Sequence, residues 1–366
     1  MRKILLLIVS LVVAGTSALA LGLDAGCFSA SSIDRSVLSL QSDYSSGDYS
    51  LGYTINANLS NVDYGMESLV IKYLEYDDGT MGIRYAPIEN MSFGYGLLLN
   101  DLNTTYSQPP FLQNEQSGLR VYYDFDDFAL EGFGTYSHLY GLRIKNFSIF
   151  NANFGLECLS DAGQTSAEAF GRSAYGAYME LPITDVFSLI AETAASSNGG
   201  EGNMAGASLD YDLIFAYSEI NVAAVSFNDR FIPAYFTSGY DIDPVDFSSI
   251  EAPGRRRYGT MTAFNMGLLG LISLNYMNEN YTDGGSANSA GLLITPWDRL
   301  SISGFVKELS FRDYRPVKGG DSNIIGGYVE YKMRSGISTS LNYRKAIDED
   351  TIKPYETYYF RSGFNF

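Results

Sequence analysis

The sequence has very few of the residues that carry common enzyme chemistry. It contains one His, His138, and two Cys, Cys27 and Cys158. No HExxH, CxxC or glycine-rich phosphate-binding motif is present. His138 stands beside Ser137 at a predicted strand end, and no Ser/His/Asp spacing surrounds it. The sequence therefore predicts a protein that is not an enzyme and that needs no cofactor or metal. Two unpaired thiols are the simplest expectation for the cysteines, with a disulfide between them or acylation of Cys27 as the less favoured alternatives.

Long apolar runs are also absent once the N-terminus is passed. No later stretch approaches the ~20 apolar residues that a membrane-spanning helix needs. Strand-forming residues are plentiful instead, because the chain has 29 Tyr and 22 Phe. The formal net charge of −18 disfavours nucleic acid as a partner. This composition predicts an all-β chain.

The first twenty residues have the organisation of a secretory signal peptide. Arg2 and Lys3 form a basic start, and the apolar run that follows ends in Ala18-Leu19-Ala20, an A-x-A cleavage site. Residues 1–20 are therefore predicted to be a signal peptide that is cleaved after Ala20.

Alternation of apolar and polar side chains is the dominant pattern after the signal peptide. In residues 49–60, one set carries Tyr49, Leu51, Tyr53 and Ile55, while the other set is made of small polar residues. Successive side chains of a strand point to opposite faces, so this strand separates an oily from a watery environment. Its length exceeds that of an ordinary soluble strand and fits a tilted membrane-spanning strand.

The C-terminal strand carries the same pattern and ends on an aromatic residue. Tyr358, Phe360, Phe364 and Phe366 occupy alternate positions, with Ser362 between them. Together with the signal peptide, this ending resembles the C-terminal signal of bacterial outer-membrane porin-type β-barrels. The resemblance implies residence in the cell outer membrane, contact with its lipid, and recognition of the four aromatic residues by the barrel-assembly machinery. It also implies that residues 21–34 are an N-terminal periplasmic lead and that residues 35–366 form the outer-membrane barrel.

The predicted fold is a closed antiparallel up-and-down transmembrane β-barrel of about 20 strands (18–20, an even number). Closure follows because a strand with one oily face survives in lipid only when every backbone group is paired. One predicted strand is Met91–Asn100, with Phe93, Tyr95 and Leu97 facing lipid. The strand centres are expected near residues 40, 54, 71, 83, 95, 121, 132, 143, 154, 175, 190, 207, 221, 262, 275, 291, 305, 328, 341 and 361.

Connections of two kinds alternate along the chain. Short turns that carry Asp or Asn are predicted near residues 85–93, 123–130, 142–149, 181–189 and 294–302. Longer polar connections are predicted at 101–117, 160–168, 198–203, 228–256, 313–322 and 345–354. This asymmetry is typical of outer-membrane barrels, in which the short turns are periplasmic. Trp297, in a short turn, is expected to be an interfacial anchor.

Charged residues on the polar face of the strands are expected to line the lumen. The acidic residues come from the middle strands and the basic residues from the last four, so they are expected on opposite walls. Such walls would form a transverse field; the simpler alternative is that the charges only keep the lumen wet. The acidic set is Glu131, Glu157, Glu180 and Glu192, and the basic set is Lys307, Lys332, Arg344 and Arg361.

The longest connection, residues 228–256, is a candidate constriction loop, since long connections without regular structure are often functional. It either folds into the lumen or stays outside as a solvated loop. Asp241 and Asp243 alone are too few ligands to predict a calcium site. The residues proposed to act at the constriction are Asp241, Asp243, Asp246, Glu251, Arg255, Arg256 and Arg257.

The predicted function is passive diffusion of small hydrophilic solutes and ions through an outer-membrane pore, which could be a homo-oligomer. About 20 strands leave an aqueous lumen, whereas barrels of ~8 strands are filled by side chains. The alternative is a structural or adhesive barrel whose external loops bind a partner. A transporter of apolar substrates is disfavoured by the polar face of residues 50–60.

Overall fold

The structure is a computed structural model of the full chain. It describes residues 19–30, 33–58, 65–104, 117–136, 138–162, 173–197, 199–228, 230–231, 256–282, 286–308, 323–333, 337–348 and 353–365. The strands are β1 (Leu19–Ala30), β2 (Ile33–Ser46), β3 (Tyr49–Asn58), β4 (Gly65–Asp77), β5 (Met81–Pro87), β6 (Ser117–Asp124), β7 (Ala129–Gly134), β8 (Leu139–Ile149), β9 (Ala152–Asp161), β10 (Ser173–Thr184), β11 (Phe187–Ser196), β12 (Glu201–Leu213), β13 (Ala216–Phe227), β14 (Arg257–Leu268), β15 (Ile272–Tyr281), β16 (Ser286–Trp297), β17 (Leu300–Glu308), β18 (Asn323–Lys332), β19 (Ile337–Asp348) and β20 (Lys353–Asn365). Within these ranges, no helix is long and apolar enough to cross a bilayer.

Each strand pairs antiparallel with its neighbours in sequence, and the first strand pairs with the last. In β1, Leu23 lies opposite Leu40 of β2 on one side and opposite Phe364 of β20 on the other. All remaining pairings join consecutive strands without a crossover. The sheet therefore closes as an up-and-down barrel, and closure removes the unpaired edges that an open sheet would expose. The predicted all-β barrel fold is confirmed.

Nineteen of the twenty predicted strand centres correspond to β2–β20, and two predictions are wrong. Residues 91–100 form no strand. Residues 19–30 form β1, so the segment 21–34 is part of the barrel rather than a lead, and the barrel begins before residue 35. β1 contains Gly22, Gly26 and several alanines, so its two faces differ little in polarity. The alternation of polar and apolar residues therefore did not reveal this strand. Cleavage after Ala20 remains a prediction.

The two rims of the barrel differ in the length of their connections, as predicted, but the short turn predicted at 142–149 is wrong, because those residues lie in β8 and the turn is at 150–151. No connection on the rim with the β2–β3 and β4–β5 turns exceeds four residues, whereas residues 88–116 and 228–256 join strands at the opposite rim. The β4–β5 turn shows why Asp suits these positions. The amides of Met81 and Thr80 donate to the Asp78 carboxylate at 2.7 and 2.9 Å. These bonds, with one from Tyr76, hold the pKa of Asp78 below its usual range.

The outer face of the barrel is apolar over most of its surface. Leu156, Val222 and Leu341 are 57, 50 and 61 % exposed. Aromatic side chains gather near the short-turn rim, where the rings of Phe125 and Phe128 stack at 4.4 Å. Trp297 is 68 % exposed in the same region. The apolar side chains therefore point away from the lumen, as the alternation predicts.

The β8–β9 turn generates a stability prediction. Phe150 and its neighbour Asn151 have φ values of 48° and 65°, as a type I′ turn requires, and Phe150 is 97 % exposed. A bulky residue in this region is strained by about 1 kcal/mol or more, whereas Asn adopts it readily. Phe150→Asn should therefore raise the free energy of unfolding by about 1 kcal/mol, measured from urea denaturation of the refolded barrel with Trp297 fluorescence as the probe.

The matched control is Ile214→Asn. This change also removes an exposed apolar side chain from a short turn, but the φ of Ile214 is not positive. A gain of equal size in both variants would show that backbone strain at Phe150 is not the cause.

Candidate functional site

Residues 88–104, here called the inner loop, lie inside the barrel. The loop is a small hairpin in which the amide of Met91 donates to the carbonyl of Leu102 at 3.1 Å and the reverse bond is 2.8 Å. Its tip is closed by the Phe93 amide, which donates to the Leu99 carbonyl at 3.0 Å. The side chains that were predicted to face lipid are instead buried within the lumen.

Local backbone conformation explains why this segment is not a strand. Gly94 and Gly96 have φ values of 53° and 93°, and Asn90 and Asp101 adopt 52° and 50°. These positive φ values are incompatible with a continuous strand and are favoured by Gly, Asn and Asp. The predicted short turn at 85–93 is therefore wrong. β5 continues into the long-connection rim, and the chain turns inward there.

Apolar packing fills the part of the lumen around the loop. Phe93, Leu99 and Leu102 are fully buried. The Phe93 ring meets Phe133 of β7 edge-on, with 5.4 Å between centroids. The remaining partners are small or apolar side chains on the inner face of β8–β15, namely Leu139, Leu159, Ala174, Ala194, Met204, Ala223, Val225, Phe227, Met261 and Tyr281, together with Phe231 beyond β13. The inner face of these strands is thus apolar toward the long-connection rim, contrary to the predicted polar lumen.

Glu192 of β11 anchors the tip of the loop. Its carboxylate accepts hydrogen bonds from the Tyr95 amide at 2.7 Å and the Leu97 amide at 3.1 Å. Gly94 lies against the carboxylate, and a Cβ at that position would be 3.0 Å from it. The carboxyl group of Glu157 on β9 adjoins Glu192. The arrangement satisfies two loop amides that would otherwise be buried without an acceptor.

A second anchor is Arg143 of β8. Its guanidinium donates to the Ser92 carbonyl at 2.9 Å and lies 4.8 Å from the centre of the Phe93 ring. It also binds Glu131 of β7 at 2.6 Å. Glu131 is fully buried and is bound at the same time by Arg120 at 2.5 Å and Lys145 at 3.5 Å. This cluster of four charges fixes Arg143 beneath the loop.

A third anchor comes from a distant part of the barrel. Lys307 of β17 donates to the Asp101 carboxylate at 2.7 Å and to the Asp101 carbonyl at 2.9 Å. Asn100 reaches Met277 of β15, with 3.1 Å from its amide nitrogen to the sulfur. In a ring of twenty strands, β15 and β17 lie well away from β8 and β11. The inner loop therefore bridges the lumen from wall to wall.

A cavity of about 630 Å³ remains beside the loop. The loop contributes Asn90, Ser92 and Asp101, and the strands β13–β17 contribute the opposite wall. Most side chains on that wall are short and polar, as the pattern of the strands predicted for the lumen. The cavity is therefore bounded by the inner loop on one side and by strands on the other.

The predicted acidic wall is present but does not line open water. Glu131, Glu157 and Glu192 point inward as expected, yet they are 0, 4 and 3 % exposed. Glu180 is half-buried on β10. The prediction that the first three line a pore is wrong, because the inner loop and its basic partners cover them.

The predicted basic wall differs from expectation in a similar way. Lys307 is 8 % exposed and is paired with Asp101. Lys332 lies 3.6 Å from Glu330 on the same strand. Arg344 is half-buried, and the side chain of Arg361 lies outside the described residues. Opposed charged walls therefore remain a prediction, and of the four acidic residues only Glu180 makes no hydrogen bond or ion pair with a described residue and is not covered by the inner loop.

The other predicted site residues fall largely outside the described part of the chain. Asp241, Asp243, Asp246, Glu251 and Arg255 are not described, and Arg256 and Arg257 stand where β14 begins. The inner loop, residues 88–104, lies inside the lumen, and most of the predicted candidate 228–256 lies outside the described residues, so its entry into the lumen stays a prediction. Of the assembly signal, Tyr358 and Phe360 are 51 and 50 % exposed on the outer face, whereas the Phe364 side chain and all of Phe366 are not described.

Residues with chemical reactivity form no further site in the described ranges. Cys158 is a free thiol. No group of three or more His, Cys, Asp or Glu side chains there is placed to hold a metal ion. His138 occupies the β7–β8 connection with a φ of 66°, a left-handed conformation that is common in turns.

Sequence reasoning missed the inner loop and its anchors. A signal was available, because Gly94 and Gly96 interrupt the predicted strand within three residues. The partners could not be found in this way, since Glu192 is 97 residues from Tyr95 and Lys307 is 206 residues from Asp101.

Comparison with known proteins gave structural likeness only. No family model and no curated protein matches the chain. Similar solved structures include OccK3 (OpdO) of Pseudomonas aeruginosa, with 8 % identity, a TM-score of 0.44 and coverage of 95 % of each chain. The outer membrane protein OpdK of the same species has 9 % identity and a TM-score of 0.41 over 95 % of this chain and 98 % of its own. OccAB2 of Acinetobacter baumannii has 11 % identity and a TM-score of 0.40 over 95 and 97 %. The barrel assignment is based on the strand pairings of this chain.

The anchoring role of Glu192 can be tested by truncation. Glu192→Ala leaves the amides of Tyr95 and Leu97 buried without their acceptor, at a cost of about 1–3 kcal/mol each. The inner loop should then open more often, and hydrogen–deuterium exchange of residues 88–104 should accelerate about tenfold or more, measured by mass spectrometry on the refolded barrel.

Glu180→Ala is the matched control, because Glu180 also points inward and makes no hydrogen bond to described residues. Its exchange profile should equal that of the wild type. Unchanged exchange in Glu192→Ala would contradict the assignment of Glu192 as an anchor.

Proposed function

We propose that this protein is an outer-membrane channel for passive diffusion of small hydrophilic solutes, narrowed by the inner loop. The observation that carries the proposal is the combination of an apolar exterior with a polar cavity inside a closed barrel. An apolar exterior or a polar cavity alone occurs in many proteins. Their combination in one closed barrel is expected when lipid surrounds the barrel and water fills it.

The exterior supports placement in a membrane. Large side chains such as Leu156 and Leu341 are more than half exposed, and such residues recur on the outer face of most strands. A soluble protein rarely exposes an apolar surface this extensive. The signal peptide, the C-terminal aromatic pattern and the short-turn rim favour an outer membrane with that rim toward the periplasm.

The interior supports a channel and not a solid barrel. The inner loop packs on the inner face of β7–β15 and reaches across to Lys307 of β17. Beside it, the cavity of about 630 Å³ is bounded by polar side chains of β13–β17. A loop that is folded into the lumen and held at both walls narrows the passage without a separate plug domain.

Shortening the inner loop should widen the passage. Replacement of residues 92–100 by a Gly-Ser-Gly link removes the part of the loop that crosses the lumen, while Met91 and Leu102 remain. Single-channel conductance in planar bilayers should rise at least about twofold, because conductance follows the cross-section of the narrowest segment. A shortened protein that folds and conducts like the wild type would show that the loop is not the constriction.

The conductance of the wild type tests the proposal itself. Steady ohmic current from refolded, heat-modifiable protein is expected. A silent bilayer with well-folded protein would instead favour the alternative, a structural or adhesive barrel whose long connections bind an external partner.

The membrane placement is tested by a charge on the outer face. Val222 lies near the middle of β13 and points outward. Val222→Arg should therefore destabilise the barrel in lipid vesicles, with a free energy of unfolding about 2–4 kcal/mol below that of the wild type. The inward-facing, exposed Asn265 of β14 provides the control, because Asn265→Arg places the same charge in the lumen. Equal stability of the two variants in vesicles would argue against lipid contact at Val222.

A further inference from the structure

Strand register places acid, amide and aromatic side chains in one row across the cavity wall. Glu219 lies opposite Asn265, and Asn265 lies opposite Asn275. The row continues from Asn275 to Gly291 and from Gly291 to Phe305. Four strand spacings of ~4.8 Å make this row roughly 19 Å long. All five residues line the cavity beside the inner loop.

Two amides of this row have no hydrogen-bond partner among the described residues. Asn265 and Asn275 are both exposed within the lumen. The Asn275 amide extends across Gly291, where a Cβ would stand 2.4 Å from its oxygen. An amide offers two donors and an acceptor, so these groups are available to a solute. A side chain larger than hydrogen at position 291 would displace the Asn275 amide.

Phe305 supplies an apolar surface at the end of the row. Its ring lies across Gly326, where a Cβ would be 2.5 Å from a ring carbon. The residue is half-buried and faces the cavity. A flat ring held over glycine can receive the C–H face of a solute while the neighbouring amides bind its polar edge.

The cavity wall presents little uncompensated charge, because its one described basic side chain is paired with an acidic one. Lys307 is bound to Asp101 at 2.7 Å, so neither presents an uncompensated charge. Glu219 is exposed and accepts a bond from Asn221 at 3.0 Å, which leaves it able to accept more. Within the described cavity lining, no unpaired basic side chain is available to bind an anionic solute. The single unpaired carboxylate, that of Glu219, offers only one charged ligand to a cationic solute. Hydroxyl groups suit this set, because they donate to Glu219 and both donate to and accept from the amides.

From this row we infer a binding site for an uncharged polyhydroxylated solute, of the class of a short saccharide. The saccharide hydroxyls meet Glu219, Asn265 and Asn275, and one sugar face packs on Phe305. The volume of about 630 Å³ lies in the range of about 300–1,000 Å³ that small-molecule sites occupy. The inference rests on the proposed channel function and names the solute class that its constriction admits.

The test is blockage of the potassium chloride current by maltose, with glucosamine and gluconate as cationic and anionic comparators. Maltose should block at a concentration at least about fivefold below either charged sugar. Asn275→Ala and Phe305→Ala should each raise the half-blocking concentration of maltose about fivefold, the size expected for loss of one hydrogen bond or one packing face. Asn278→Ala, on the outer face of β15, should leave it unchanged.

The inference would be overturned if gluconate or glucosamine blocked the current more strongly than maltose, or if neither lumen variant changed the block by maltose. In both cases the channel still conducts, so the proposed function would stand. A silent bilayer would refute the channel instead. In that case saturation-transfer NMR of maltose with the refolded protein decides the binding site. A maltose signal that Asn275→Ala abolishes supports the site, and the absence of a signal from the wild type overturns it.

Discussion

One buried carboxylate, that of Glu192, fixes the arrangement of the lumen. A chain segment that leaves the sheet and enters a barrel loses its ladder hydrogen bonds, and its amides must find other acceptors. Glu192 accepts two of them, from Tyr95 and Leu97, at the tip of the inner loop. The two amide hydrogen bonds offset part of the free energy that burial of this carboxyl group costs. The position of the loop, and therefore the shape of the cavity, depends on this contact.

The loop gives the barrel two different interiors. Toward β7–β15, Phe93 and Leu97–Leu102 pack on small and apolar inner-face residues to form a core of the kind found in soluble proteins. Beside the loop, β13–β17 keep short polar side chains and an open cavity. The same strands contribute to both, because Ala223 and Val225 lie toward one end of β13 and Glu219 and Asn221 toward the other. The inward-facing side chains of β13 thus change from polar to apolar at the point where the inner loop begins to pack on the strand.

Much of the fold was predictable because alternation of side chains is a local property. The strands β2–β20, the short-turn rim and the inward direction of Glu131, Glu157 and Glu192 all follow from it. The error at residues 91–100 has the same origin. Alternating apolar residues report that one face avoids water, and both lipid and a packed lumen satisfy that requirement. The left-handed positions at Gly94 and Gly96, with Asn90 and Asp101 near the two ends of the loop, distinguish the two cases, because together they turn the chain out of the sheet.

The roles of the charged residues were less predictable, because a charge inside a barrel is defined by its partners. Glu131 carries a negative charge that three basic side chains compensate, and Lys307 is compensated by Asp101 from the inner loop. A pattern of inward charges along the strands therefore does not translate into a field across the lumen. The loop uses these charges for attachment, and the cavity wall presents two amides and the carboxylate of Glu219. In the proposed channel such a wall would select solutes by hydrogen bonding and shape, whereas opposed charged walls would select by their electric field. The ion pair of Lys307 with Asp101 thus both attaches the loop and removes the one described cation from the cavity wall.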